Sequence, residues 1–377
     1  MIKVVADDKI PFLKGVLEPY ADVVYLPGSK IDNSVLQKAD ALITRTRTKC
    51  NKELLDKSGI RFIATATIGF DHIDTRYCDD RKITWTNAPG CNSSSVQQYI
   101  ASALMRISSE NHFMLRDKTL GIIGVGNVGS KVEKFAAAVG MKLLLNDPPR
   151  ARREDKSHFV DFETILRESD IITLHVPLNK SGDDKTWHLI NEQTIQKMKK
   201  GAWLINSSRG EVVDNKVLSA FLSTGMLSGA VLDVWENEPD IDLQLMEKLF
   251  LATPHIAGYS TDGKANGTAM SVNALSRFFN LPLKEWRPGD VPSPPEPIFS
   301  IDGKDKSDED IIRKAVLHTY DIRSDDEKLR HSPEGFEKQR GGYPVRREFP
   351  SFSITLTNCS AKSREILEKL GFRAENS

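Results

Sequence analysis

One short run constrains this chain more than any other, Gly124-Val125-Gly126-Asn127-Val128-Gly129. Before it lies Leu120-Gly121-Ile122-Ile123, an apolar stretch that reads as a buried strand. After it comes a helical pattern with Val132, Phe135 and Ala136 on one side. A lone G-x-G-x-x-G is weak evidence, because glycine-rich turns are common. A strand before it and a helix after it make it the turn of a βαβ unit that binds a dinucleotide. Gly124 permits the tight turn. Gly126, with Asn127 and Val128 beside it, lets backbone N–H groups approach a pyrophosphate at the positive end of the helix. Gly129 lets helix and strand pack closely. The next strand ends at Asp147, 18 residues beyond Gly129. A carboxylate there accepts hydrogen bonds from ribose hydroxyls and repels a 2′-phosphate, so the expected cofactor is NAD rather than NADP. Arg150, Arg152 and Arg153 follow close behind.

The same rhythm runs on both sides of this turn. In the first hundred residues, 2–6, 23–26, 41–44 and 62–66 read as strands with helical stretches between them. Pro89-Gly90-Cys91-Asn92-Ser93-Ser94 is a turn with N-cap candidates, and the spacing of Val96, Ile100, Ala103, Leu104 and Ile107 predicts a long helix into a second domain. There the strands are 120–123, 143–145, 171–174, 203–205 and 230–234, with helices over 131–139, 162–167, 193–198 and 215–223. This is a doubly wound α/β pattern. Residues 255–280 turn helical and can carry the chain back to the first domain. Between Pro288 and Pro297 five residues are proline, which sustain neither helix nor central strand and so form a stiff linker. Beyond it, a helix over 311–317, a strand over 352–356 and a helix over 362–370 make a small α+β unit. It is short enough to need another surface to pack on, such as a second subunit.

Composition removes several classes of function. Basic and acidic residues balance at 52 each, so bulk electrostatics support neither nucleic-acid nor membrane binding. No apolar run approaches the ~20 residues that span a bilayer, and the N-terminus lacks a signal-peptide pattern. Cys50, Cys78, Cys91 and Cys359 form no C-x-x-C pair, which argues against a metal ribbon or a disulfide framework. The expectation is a cytoplasmic protein with no metal.

Three further segments carry the polar groups that hydride transfer needs, each just past a predicted strand. They are Ile205-Asn206-Ser207-Ser208-Arg209-Gly210, Asp233-Val234-Trp235-Glu236-Asn237-Glu238-Pro239 and Thr253-Pro254-His255-Ile256-Ala257-Gly258-Tyr259. In an open α/β sheet that edge faces the ligand crevice. Oxidising a hydroxy acid needs a base for the hydroxyl proton, and His255 suits because imidazole titrates near neutral pH. Glu238 is the candidate for its carboxylate partner, with Glu236 the competitor. Arg209 can hold a substrate carboxylate by a bidentate pair. Asp71 and His72 read as helix-capping residues.

With these segments in hand, residues 40 to 280 resemble the D-isomer-specific 2-hydroxyacid dehydrogenases. The resemblance implies that Arg209, Glu238 and His255 are catalytic and that Asp233 meets the nicotinamide carboxamide. It also implies a substrate-binding domain of residues 1–92 and 259–287, with an NAD-binding Rossmann domain of residues 93–258 inserted between. Thr65 to His72, Asn87 to Asn92, Asp147 to Arg150, Tyr320 to Asp326 and Arg346 to Phe349 are similar to a branch of the family that acts on a phosphorylated hydroxy acid. That branch carries a C-terminal dimerisation domain, here residues 288–377, which implies a homodimer. By the same resemblance Thr46, Thr67 and Tyr259 contact substrate, and Ser207, Ser208 and Gly258 line the NAD site. Val176 stands where many relatives have threonine, which leaves any contact there to the backbone. Arg45, Arg47 and Lys49 are one basic run for a phosphate. Arg346 and Arg347 are another, expected to reach the substrate of a neighbouring subunit. The fold class expected is α/β, with two doubly wound Rossmann-like domains and a small α+β domain. The competing functions are oxidation of a different phosphorylated acid, such as 3-phosphoglycerate, and NAD sensing without catalysis.

Overall fold

The computed structural model describes residues 1–154 and 156–376. Its chain forms two compact units, Met1–Asn92 with Ser260–Pro292, and Ser93–Tyr259 with Ser293–Ser377. The first unit holds five parallel strands: β1 (Ile2–Asp7), β2 (Ala21–Leu26), β3 (Ala41–Thr44), β4 (Phe62–Thr65) and β5 (Thr84–Thr86). Their order is β2-β1-β3-β4-β5. β3 and β4 are buried throughout, as continuous apolar runs covered on both faces require. One face packs on Val272 and Leu275 of the helix Thr261–Phe278, so this helix closes the core of the first unit. β5, Thr-Trp-Thr, lies on the edge and is too short and too polar to show as a strand in the sequence.

The second unit is built on six parallel strands: β6 (Thr119–Ile123), β7 (Lys142–Asn146), β8 (Ile171–Leu174), β9 (Ala202–Asn206), β10 (Leu227–Leu232) and β11 (Leu251–Ala252). The order β11-β10-β9-β8-β6-β7 places the reversal of winding between β6 and β8, where such sheets open a ligand crevice. The helix over Ser93–Glu110 forms as its spacing predicts, with Val96, Ile100, Ala103, Leu104 and Ile107 all buried.

The C-terminal stretch adds three parallel strands, β12 (Ile298–Asp302), β13 (Ser353–Thr357) and β14 (Arg373–Asn376), in that order across the sheet. Helices Asp308–Thr319, Ile322–His331, Phe336–Gly341 and Ala361–Leu370 accompany them. A piece of this size buries only a small core by itself. Its Ile312, Val316, Ile354 and Leu367 join one apolar cluster with Tyr99, Leu104, Leu120 and Phe135. Within this chain, the surface it packs on is therefore the six-stranded region.

Candidate active site

Every functional segment of the second unit leaves the sheet at a carboxyl end. After β6, Gly124 adopts a left-handed backbone (φ 86°), which glycine alone reaches without strain. A Cβ on Gly124 would also lie 2.5 Å from the His175 carbonyl oxygen. A Cβ on Gly129 would collide with the Gly124 carbonyl, so helix Gly129–Ala138 starts hard against the strand end. A Cβ on Gly126, by contrast, meets nothing within 4 Å. The turn is thus closed on its protein side and open above Gly126, as a pyrophosphate cradle requires.

Asp147 follows β7. One carboxylate oxygen accepts from the Val125 N–H at 2.9 Å and the other from the Arg150 N–H at 3.0 Å. These bonds hold the carboxylate beside the glycine turn, with lone pairs left for ribose hydroxyls. Two of the three nearby arginines are occupied. Arg150 pairs with Glu154 at 2.6 Å, and Arg152 pairs with Asp184. After β8 comes Val176, partly buried, and after β9 come Ser207 and Ser208. Ser208 bonds Asn206 Oδ1 through both its N–H (3.1 Å) and its hydroxyl (2.8 Å). The Ser207 hydroxyl is buried with no partner, a polar orphan on the edge where a cofactor would lie. The open space over Gly126, the poised Asp147 and this orphan together fit NAD.

The proposed reacting groups sit on the next three strand ends. Arg209 follows β9, and its guanidinium donates to the Ser208 carbonyl at 2.8 Å. Gly210 lets this loop press against the Trp235 carbonyl, where any side chain would collide. Glu238 lies beyond β10. Its Oε1 accepts from the Trp235 N–H at 2.9 Å, and its Oε2 lies 2.7 Å from Nδ1 of His255. Burial would push the Glu238 carboxyl up. The His255 ring, the Trp235 N–H and the Arg340 guanidinium outweigh it and hold the group below its ordinary value. Glu236 is engaged elsewhere, on His188 Nε2 at 2.8 Å and the Asn215 N–H at 3.0 Å.

His255 has a left-handed backbone (φ 55°), an uncommon state for a residue with a side chain. Asp233, wholly buried, fixes this loop from one side. Its Oδ1 accepts from the Ile256 N–H (2.7 Å) and the Thr253 hydroxyl (2.7 Å), and its Oδ2 from the Ala257 N–H (2.9 Å). Burial pushes the Asp233 carboxyl up against the pull of His255 and these donors. Gly258 and Tyr259 follow, both partly buried.

Thr46 and Thr67 belong to the first unit. Thr46 is exposed just past β3, and Thr67 just past β4 bonds the Thr65 hydroxyl at 2.7 Å and the Gly69 carbonyl at 3.0 Å. His72 is half-buried, its Nε2 is buried with no partner, and burial pushes its ring below the ordinary imidazole value.

Two tail residues are placed beside the catalytic groups in ways the sequence did not signal. Arg340 lies 5.7 Å from the Tyr259 ring centre and acts on Glu238 through its charge. Arg346, expected to bind phosphate, is 5 % exposed and donates to the Ser95, Ile256 and Ala257 carbonyls. No periodicity marks such residues, because their partners lie tens of residues away.

Comparison with known proteins agrees with this geometry. Residues 94–257 match the family described as D-isomer specific 2-hydroxyacid dehydrogenase, NAD binding domain, and residues 293–371 match a domain of unknown function. An erythronate-4-phosphate dehydrogenase of Bacteroides fragilis is 49% identical over 94% of this chain and 100% of its own length. One from Proteus mirabilis is 41% identical over 99% of each. Among solved structures, the D-lactate dehydrogenase of Aquifex aeolicus complexed with NAD and lactic acid is 31% identical. It matches with a TM-score of 0.62 over 74% of this chain and 95% of that one. The NAD+-bound 3-phosphoglycerate dehydrogenase of Entamoeba histolytica is 25% identical, with a TM-score of 0.63 over 77% and 99%.

Proposed function

This chain belongs to the erythronate-4-phosphate dehydrogenase family of D-isomer-specific 2-hydroxyacid dehydrogenases, and we propose that it oxidises 4-phospho-D-erythronate to 2-oxo-3-hydroxy-4-phosphobutanoate, a step of pyridoxal 5′-phosphate biosynthesis. When bound, NAD supplies the acceptor for the hydride that leaves the carbinol carbon. His255 takes the hydroxyl proton at Nε2. In the tautomer with its hydrogen on Nδ1, the ring donates to Glu238, which sets its orientation and stabilises the imidazolium formed. Arg209 pairs with the substrate carboxylate and draws charge from the reacting carbon. Thr46, Thr67 and Tyr259 hold the rest of the substrate. Ser207, Ser208, Asp233, Gly258 and the backbone of Val176 line the nicotinamide side.

The observation that carries this reading is the 2.7 Å contact between Glu238 and His255 beside the Arg209 loop. The test is a panel of substrates followed by NADH absorbance: 4-phosphoerythronate, 3-phosphoglycerate and D-lactate. Turnover of 4-phosphoerythronate with NAD at a far higher kcat/KM than the others is the expected result. Turnover of 3-phosphoglycerate alone would replace the substrate, and NAD binding without turnover of any acid would replace catalysis by sensing. The reading also assigns residues 1–92 and 259–287 to substrate binding, 93–258 to NAD and 288–377 to a dimerisation domain. It makes the protein a cytoplasmic homodimer, which sedimentation at micromolar concentration tests. Among the described residues no helix is long and apolar enough to cross a membrane.

A further inference from the structure

We infer that Arg346 is a positioning residue for the proposed reaction: its guanidinium clamps the loop that carries His255, so the C-terminal segment takes part in catalysis from within the same chain. The inference rests on the assignment of His255 as the base.

The loop Thr253–Tyr259 has a mechanical problem. His255 sits at φ 55°, a conformation that costs a residue with a side chain free energy and persists only where the surroundings over-determine it. Asp233 restrains the N–H side of the two residues that follow. Arg346 restrains their carbonyl side. One terminal nitrogen lies 3.4 Å from the Ile256 oxygen. The other donates to the Ala257 oxygen at 2.5 Å, to the Ser95 carbonyl at 3.2 Å and to the Ser95 hydroxyl. That hydroxyl also donates to the Ala257 oxygen at 2.8 Å. The two residues after His255, Ile256 and Ala257, are therefore gripped on both sides, by an anion on their N–H groups and a cation on their carbonyl oxygens.

The rest of the tail is arranged to hold this cation. The guanidinium lies 4.3 Å from the Tyr320 ring centre, and Tyr343 places its hydroxyl 3.4 Å from the same nitrogen that faces Ile256. Asp325 accepts from both tyrosine hydroxyls, at 3.1 and 2.6 Å, and supplies the negative charge behind them. Taking a guanidinium out of water is costly unless it is paired, so its burial needs these partners. A lysine could not replace it, because a single ammonium lacks the planar fork that reaches three carbonyls and a hydroxyl at once.

A cavity of about 310 Å³, lined by Tyr320, Asp325, Tyr343 and Arg346 among others, adjoins the guanidinium and allows a chemical rescue experiment. Arg346→Ala is assayed for kcat, for NAD affinity by fluorescence titration and for recovery in millimolar guanidinium chloride. A clamp predicts kcat lowered at least about 100-fold, NAD Kd within twofold of the parent, and kcat raised several-fold by guanidinium but not by sodium chloride. Parental kcat, or parallel loss of kcat and NAD binding with no rescue, overturns the inference. If Arg346→Ala does not fold, Arg346→Lys decides. Lowered kcat with intact NAD binding supports the clamp, and parental kcat refutes it. Turnover by the parent tests the assignment of the reaction separately, since the clamp is read only from variant-to-parent ratios.

Discussion

Two alanine substitutions in the glycine turn, three residues apart, are expected to fail in opposite ways. At Gly126 a Cβ meets nothing within 4 Å, and the residue is not in the positive-φ region. Gly126→Ala therefore leaves the protein as stable as before, or stabilises it by about 0.4–1 kcal/mol by restricting the unfolded chain. The methyl group instead stands where the pyrophosphate must approach the backbone. Losing one or two hydrogen bonds to a charged group, at about 1.5–3 kcal/mol each, weakens NAD by roughly tenfold or more. At Gly129 the new carbon collides with the Gly124 carbonyl, a backbone atom that cannot swing aside. Gly129→Ala must push the helix off the strand, at about 1–3 kcal/mol or more, and lower Tm by roughly 2–4 °C per kcal/mol. Thermal unfolding and NAD titration of both variants give four numbers. Parental NAD affinity in Gly126→Ala would mean the cofactor does not pass over this turn. A parental Tm in Gly129→Ala would mean the helix does not start against the strand as described.

Other consequences follow from the same geometry. His255→Asn is expected to lower kcat by about 10²–10⁴-fold with NAD Kd unchanged, and an unaltered kcat would remove it as the base. Arg209→Lys keeps the charge but loses the bidentate fork, so kcat/KM falls by roughly 100-fold while thermal stability holds; rates within threefold of the parent would sink the carboxylate role. Asp147→Ser removes the repulsion of a 2′-phosphate and is expected to raise the NADP-to-NAD ratio of kcat/KM at least about tenfold. Because Glu238 is held below its ordinary value, its stabilisation is present above that value and is lost as pH falls through the lower, folded one. As pH is lowered through and below the ordinary glutamate range, the parental Tm is thus expected to drop further than that of Glu238→Gln, and equal slopes would contradict the ion pair.

The sequence alone determined the parts whose signal is local. The doubly wound pattern was legible because buried parallel strands are continuous apolar runs separated by helical periods, and β3, β8 and β9 lie where those runs stand. The glycine turn was legible because each glycine answers a contact within one βαβ unit. Local patterning gave no bounds for β5 and β11, of three and two residues, because an edge pairing that short leaves no periodicity. It also missed β12, β14 and two helices of the tail. The family resemblance already pointed to Glu238 as the partner of His255, but only the tertiary structure shows what separates it from Glu236. Glu236 and Glu238 are two residues apart and chemically alike, and only the path of the loop sends one to His188 and the other to His255. The same holds for Arg346. Its neighbours in sequence suggested a free cation for a phosphate, whereas its partners in space, Ser95, Ile256 and Ala257, are as many as 251 residues away. Contacts at that separation are made by packing, and packing is not written in any window of the chain.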